Sequence, residues 1–164
     1  MKSGYFPDLL IIGAGITGLS LAWKYIQAYP DASISLIEKE NDVAQHASGR
    51  NSGVLHAGFY YSSDSLKAKL CRQGNLAMQD FCQEHGLKLN RCGKLVVTAS
   101  ESELPRLAKL YQQGLKNGVP LELITAAEAR EMEPEVCTVE QALYSPTTAT
   151  VDPLEICQFL KSEL

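Results

Sequence analysis

The sequence predicts an α/β fold, and three features carry that prediction. Leu9 to Ile12 form a continuous apolar run of strand length, the pattern of a strand buried on both faces. A glycine-rich turn follows directly and opens an apolar stretch of helical length that runs to about Ala28. Beyond Pro30 and Asp31, which stop that helix, "SISLIE" (33–38) alternates polar and apolar residues before an acidic end. Strand, helix and strand in this order make a βαβ unit.

The turn, Gly13-Ala14-Gly15-Ile16-Thr17-Gly18, matches G-x-G-x-x-G. Gly13 permits the tight turn, Gly15 lets backbone approach a pyrophosphate, and Gly18 lets the helix pack closely on the strand. The unpaired N–H groups and positive dipole end of the helix, at Ile16 and Thr17, suit phosphate oxygens. Glu38 lies twenty positions beyond Gly18, beside Lys39, where a carboxylate can accept hydrogen bonds from a ribose diol. Its charge repels a 2′-phosphate, which disfavours NADP. Strand, turn, helix and acid agree on dinucleotide binding, but the motif alone does not choose between FAD and NAD.

The next stretch is informative for that choice. Residues 41 to 63 hold no convincing strand and are rich in Ser, Gly, Asn and His. A loop of that length inside a domain is usually functional, and it is placed to run beside an extended ligand such as FAD.

The remaining chain reads as mixed α and β. Residues 63 to 86 predict an amphipathic helix with Leu66, Leu70, Gly74, Ala77, Met78, Phe81 and Cys82 on its apolar face. Lys67, Arg72, Gln79 and Gln83 lie off that face; Gly74 within it suggests a close backbone approach, and Gly86 is the stop. "KLNRCGKLVVTAS" predicts two strands or one bent strand, and Ser100 with Glu103 a capping box for a helix to about Asn117. "LELI" is a short strand, and Thr125 with Glu128 caps a brief helix. "EQALYSPTTATVDP" is strand and turn material, after which Asp152 as N-cap, Pro153 and Glu155 open a last helix.

Composition excludes several classes. The 164 residues are 45% hydrophobic, enough for an ordinary core, and the net charge of −4 offers no basic surface to nucleic acid. Five cysteines are an odd number without C-x-x-C, which fits reduced packed thiols and points to no metal site. "LLIIGAGI" is too short to span a bilayer and lacks a basic leader. The expected location is the cytoplasm, and peripheral contact with the inner membrane is compatible with it.

The stretch "HASGRNSGVLHAGFYYSSDSLKAKLC" (46–71), with the N-terminal motif, "CGKLVVTAS" (92–100) and "TATVDP" (148–153), resembles the L-2-hydroxyglutarate dehydrogenase/oxidase family. These are FAD enzymes of the D-amino-acid-oxidase-like superfamily. Ala149 departs from the family pattern, which has glycine there. The resemblance implies a Rossmann-like FAD-binding βαβ core with part of an inserted mixed α+β substrate domain. It places the first part of the FAD-binding domain at 1–86, the first part of the substrate domain at 87–151, and a helix returning to the FAD-binding domain at 152–164. By the same resemblance the family chain continues, and this segment is expected to be its N-terminal portion.

The resemblance also assigns roles. Ser48, Gly49, Arg50, Asn51, Ser52, Gly53 and Val54 would line the cofactor, with Val54, Leu55 and His56 passing near the isoalloxazine. Tyr60 and Tyr61 would shape the substrate cavity. His56 is the candidate base and substrate contact, set against the plainer reading of a structural histidine. The implied reaction is oxidation of an L-2-hydroxy acid, L-2-hydroxyglutarate to 2-oxoglutarate, with hydride passing to flavin N5. The alternatives are a related flavoprotein acting on glycerol 3-phosphate or an amino acid, or a non-catalytic flavin-binding fragment. The electron acceptor, oxygen or a quinone, stays open.

Overall fold

The structure, a computed structural model, describes residues 6–164. In chain order its elements are β1 (Leu9–Ile12), α1 (Ile16–Ala28), β2 (Ile34–Ile37), β3 (Val54–Leu55), α2 (Leu66–Glu84), β4 (Leu89–Asn90) and β5 (Lys94–Val96). They continue with α3 (Leu104–Lys116), β6 (Glu122–Thr125), α4 (Ala126–Met132), β7 (Gln141–Ser145), β8 (Ala149–Val151) and α5 (Pro153–Ser162). The described residues form two compact units: 6–53 with 152–164, and 54–151. The resemblance places the first domain break at 86; the compact units divide at 53, with α2 tied through Asn75 and Gln79 to Leu55, Thr147 and Arg91.

In the first unit β1 and β2 pair in parallel, in register from Leu9↔Ile34 to Ile12↔Ile37. Helices α1 and α5 pack together, and Ile11, Leu19, Ala22, Ile156, Cys157 and Leu160 are the apolar side chains this buries. Asp152 starts α5 as expected, its Oδ1 accepting from the N–H groups of Leu154 and Glu155. The Asp42 carboxylate accepts from Lys161 Nζ at 2.7 Å and Gln158 Nε2 at 3.0 Å, tying α5 to the loop after β2. The Lys161 ammonium first, then the Val43 N–H and Gln158, hold the Asp42 pKa down to about 2. β1 is not buried on both faces. Ile11 lies at 6% exposure, but Leu10 and Ile12 stand at 51% and 82%, because the helices cover only the face that Ile11 points to.

The second unit holds two three-stranded antiparallel sheets, ordered β3-β8-β4 and β5-β7-β6. Strands β7 and β8 are their centres and are joined by the short Ser145–Ala149 turn. Ala57, Phe59, Leu107, Val119, Leu121 and Leu143 form the main core, with Ile124, Ala129 and Ala142 in a second cluster. The loop read as free of strands therefore contributes one, β3, two residues long and stabilised by pairing with β8.

Helix α2 turns a different face inward from the one its leucines suggest. Leu66 and Leu70 are exposed at 75% and 60%, whereas Ala68, Asn75, Gln79 and Cys82 are buried. Hydrogen bonds decide the rotation. Asn75 Nδ2 donates to Leu55 O at 2.7 Å and to Thr147 O at 3.1 Å. Gln79 Nε2 donates to Asn75 Oδ1 and Thr147 O, while Gln79 Oε1 accepts from Arg91 Nε. Gly74 meets no backbone, since a Cβ there would have nothing within 4 Å. Gly86 does end the helix, at φ +66°, with Leu87 N–H donating to Cys82 O. The Thr125–Glu128 capping box of α4 forms in full. That of Ser100 and Glu103 does not: Glu103 Oε2 accepts from Ala99 N–H, Ser100 Oγ pairs with Ser102 Oγ, and a single 3-10 turn leads into α3.

The Asn75 network carries a prediction. Replacing Asn75 by Ala removes the donor to the Leu55 and Thr147 carbonyls beneath α2, a loss of about 1–3 kcal/mol. Chemical denaturation should register that loss, while Leu76→Ala, on the exposed side, stays within about 0.5 kcal/mol of the parent.

Candidate cofactor and substrate sites

The glycine turn is shaped by contacts that exclude side chains. Gly13 sits at φ +104°, a conformation that suits glycine. A Cβ on Gly18 would lie 2.0 Å from Gly13 O and 3.2 Å from Ile11 Cγ2, so α1 can lie this close to β1 only with glycine there. A Cβ on Gly15 would stand 2.9 Å from Ser48 Oγ. In this structure Gly15 thus makes room for Ser48 at the helix start.

Two side chains brace the turn from elsewhere in the first unit. Glu38 Oε2 accepts from Ala14 N–H at 2.7 Å, and Glu38 Oε1 accepts from the N–H groups of Lys39 and Glu40. The Ala14 N–H is the main cause holding the Glu38 pKa below the usual carboxylate value, with Glu40 and Lys39 adding to it. Ser48 Oγ accepts from Ile16 N–H at 3.0 Å. The sequence reads Glu38 as a ribose clamp; the structure shows it fixing the turn through Ala14, which spacing could not reveal.

The loop from Asp42 to Gly53 closes over the turn. Ala44 N–H donates to Ala14 O at 3.0 Å, and Val43 and Ala44 are buried at 6% and 5% exposure. Ala44 adopts φ 57°, which costs an L-residue about 1–2 kcal/mol and is held by that bond. A Cβ on Gly49 would lie 2.3 Å from Ala44 O, so Gly49 serves the folding of the loop itself. Asn51 Nδ2 donates to the carbonyls of Ala47 and Ser48, and Asn51 Oδ1 accepts from Gly53 N–H. Arg50 and Ser52 are exposed, and Lys39 points outward to Glu40 at 3.5 Å. The structure thus gathers Gly13, Gly15, Ile16, Gly18, Glu38 and Ser48, with Thr17 in the first turn of α1. It leaves Lys39, Arg50 and Ser52 at the surface.

Val54, His56, Tyr60 and Tyr61 belong to the second unit. Val54 is half-buried in β3, opposite Thr150. His56 follows that strand and is exposed; its partial desolvation first, then the Lys94 ammonium, lower its pKa below the ordinary 6.5. The segment after it is clamped to α3. Gln113 Nε2 donates to the carbonyls of Phe59 and Tyr61, and Asn117 Nδ2 to those of Gly58 and Tyr61. The Tyr60 ring lies 4.3 Å from that of Phe59 and beneath Lys94 Nζ at 4.8 Å. Tyr61 carries Lys67 Nζ above its ring at 4.4 Å. Lys94 was not singled out in the sequence, where it is one lysine before a short strand.

A family model, FAD dependent oxidoreductase, matches residues 8–164. The chain belongs to that family. It is 46% identical over 146 residues to the human protein named L-2-hydroxyglutarate dehydrogenase, mitochondrial, covering 88% of this chain and 31% of that one. The Escherichia coli (strain K12) protein named L-2-hydroxyglutarate dehydrogenase is 46% identical over 129 residues, covering 79% and 31%. The chain thus spans about a third of the length of these curated relatives. Among solved structures, L-alpha-glycerophosphate oxidase from Mycoplasma pneumoniae with FAD bound superposes with a TM-score of 0.87 at 26% identity, covering 96% of this chain and 42% of that one.

The residues fit the family's cofactor. α1 has no acidic residue in its first turn, so nothing there opposes a phosphate at the positive end of its dipole. Glu38 is ionised and fixed, and its three bonds to main-chain N–H groups leave acceptor capacity for a ribose hydroxyl. Gly18→Ala should therefore cost the flavoprotein its cofactor. We expect about a tenth or less of the parent's flavin per chain, read from visible absorbance after purification, because strand and helix must separate. Gly74→Ala, where a Cβ meets nothing, should retain full flavin content.

Proposed function

We propose that this chain carries the adenosine-diphosphate cradle and part of the substrate site of an enzyme that oxidises L-2-hydroxyglutarate to 2-oxoglutarate. The observation that carries the reading is the 46% identity to human L-2-hydroxyglutarate dehydrogenase over 146 residues, a stretch longer than either compact unit. FAD, when bound, supplies the acceptor for the hydride that leaves C2 of the hydroxy acid. Thr17 and Gly18 would offer main-chain donors to its phosphates beside Ile16, whose own N–H is engaged by Ser48, and Glu38 would take the ribose. Ser48 to Val54 would lie along it, with Arg50 as a candidate cation for its phosphates or for the substrate.

His56 would take the hydroxyl proton at a ring nitrogen as the carbonyl forms. The lowered pKa suits that task, since the imidazole is then neutral and able to accept a proton across neutral pH. Tyr60 and Tyr61, fixed through their main chain and rings, would wall the substrate. Five cysteines outside any disulfide fit a reducing compartment, and we place the protein in the cytoplasm, a location compatible with peripheral contact with the inner membrane. Among the described residues, no helix is long and apolar enough to cross a membrane.

A second reading, oxidation of glycerol 3-phosphate, draws on the likeness to L-alpha-glycerophosphate oxidase at 26% identity. Anaerobic mixing of the protein, as its gene encodes it, with a substrate panel separates the two. L-2-hydroxyglutarate should bleach the flavin at least about tenfold faster than glycerol 3-phosphate or any amino acid. Preference for glycerol 3-phosphate would replace the first reading by the second.

The role of His56 has its own test. His56→Gln should lower kcat/KM by about 10²–10⁴-fold with flavin content intact. In the parent, activity should fall as acid protonates His56, with that limb centred below the ordinary 6.5 because the pKa is lowered. A glutamine variant that keeps the acid limb would assign it to another group.

A further inference from the structure

We propose that Lys94 binds a carboxylate of the substrate, forming an anion subsite with Tyr60 beside His56. The inference rests on the dicarboxylic hydroxy acid proposed above and names the group that holds one of its acid ends.

The argument begins with an unneutralised charge. Lys94 is half-buried at the start of β5, its Nζ 4.8 Å above the Tyr60 ring. Among the described residues no carboxylate pairs with it, whereas Lys39 and Lys161 each meet an acid, Glu40 and Asp42. An aromatic face attracts an ammonium but leaves its charge uncompensated, and a partly desolvated cation gains most from an anion that can reach it. The ring also narrows the positions open to a four-carbon stem, so the ammonium is held in advance of any ligand.

The backbone then fixes this cation near His56. Gly93 N–H donates to Thr148 O at 3.0 Å, and Lys94 lies opposite Ser145 in the β5–β7 ladder. Leu55, the residue before His56, lies opposite Ala149 at the other end of the same Ser145–Ala149 turn. Asn75 Nδ2 bridges that turn and β3, bonding both Thr147 O and Leu55 O. Lys94 and His56 thus leave neighbouring points on one hydrogen-bonded frame. The influence of the Lys94 charge on His56 is the electrostatic mark of their proximity.

There is also space alongside. Val96 shares the strand face of Lys94 two residues on. With Tyr60, Leu107 and Leu110 it lines a cavity of about 280 Å³ whose polar lining includes Arg106 and Glu103. A short diacid held at Lys94 can extend over Tyr60 toward this cavity.

The test uses glutarate, a five-carbon diacid with no hydroxyl to oxidise, titrated calorimetrically into the flavin-loaded protein as its gene encodes it. Lys94→Met should weaken glutarate binding by at least about tenfold, the scale of one hydrogen bond to a charged group. Lys94→Arg should bind within about threefold of the parent, since the charge is kept. Melting midpoint and flavin content should match the parent in both; where Met destabilises, Lys94→Gln takes its place. In turnover, KM for L-2-hydroxyglutarate should rise with the same ranking of variants. Glutarate affinity unchanged in Lys94→Met, or no glutarate binding by the parent, overturns the assignment even where L-2-hydroxyglutarate bleaches the flavin. Lys94-dependent glutarate binding in a protein whose flavin L-2-hydroxyglutarate leaves oxidised sustains the subsite and removes the substrate reading instead.

Discussion

The contact on which the first unit depends is between two pieces of main chain. At Gly18 the first turn of α1 passes Gly13 O so closely that a Cβ would lie 2.0 Å from it. That approach sets where the first-turn N–H groups of α1 point, which determines what anion they can receive. The supporting contacts keep it in place. Glu38 Oε2 bonds Ala14 N–H, Ser48 Oγ bonds Ile16 N–H, and Ala44 bonds Ala14 O at the expense of a left-handed backbone. Each comes from a different distance along the chain, and together they make the turn rigid before any ligand arrives.

In the second unit a buried amide network performs the equivalent task. Asn75 and Gln79 on α2 satisfy the carbonyls of Leu55 and Thr147, and Arg91 satisfies Gln79 in return. Two sheets meet at the Ser145–Ala149 turn, where a two-residue strand such as β3 has little pairing of its own to hold it. The amides compensate for that shortage. They also explain why a helix with several leucines presents asparagine and glutamine inward: leaving the turn's carbonyls unpaired would cost more than leaving Leu66 and Leu70 in water.

These contacts divide what the sequence makes legible from what it hides. The βαβ order, the glycine turn, the caps at Thr125 and Asp152 and the stop at Gly86 depend on neighbours in sequence, and all were readable. The buried face of α2 depends on partners tens of residues away, so periodicity pointed elsewhere. The Ser100–Glu103 pattern failed for a local reason, because Glu103 bonds the Ala99 N–H one residue earlier and a 3-10 turn intervenes. Glu38 and Ser48 were picked out as cofactor contacts, yet their bonds to Ala14 and Ile16 required the fold. Lys94 carried no signal because a lone lysine acquires meaning only from the ring beneath it and the histidine near it.

The pairing of Lys94 with His56 has a consequence for how binding and proton transfer would be joined. A cation near a base lowers the base's proton affinity, as burial also does at His56. In the ligand-free protein this would favour the neutral imidazole that a base requires. A substrate carboxylate seated on Lys94 would offset part of that charge, so the proton affinity of His56 would rise as the hydroxyl to be deprotonated arrives. The two requirements on a general base, to be unprotonated beforehand and basic at the moment of reaction, are opposed in a fixed environment. A lysine whose counterion is the substrate itself would relieve the conflict without any movement of the protein. The same logic separates ligands: a molecule without a correctly placed carboxylate would leave Lys94 unneutralised and meet a weaker base, so discrimination would appear in the rate of proton transfer as well as in affinity.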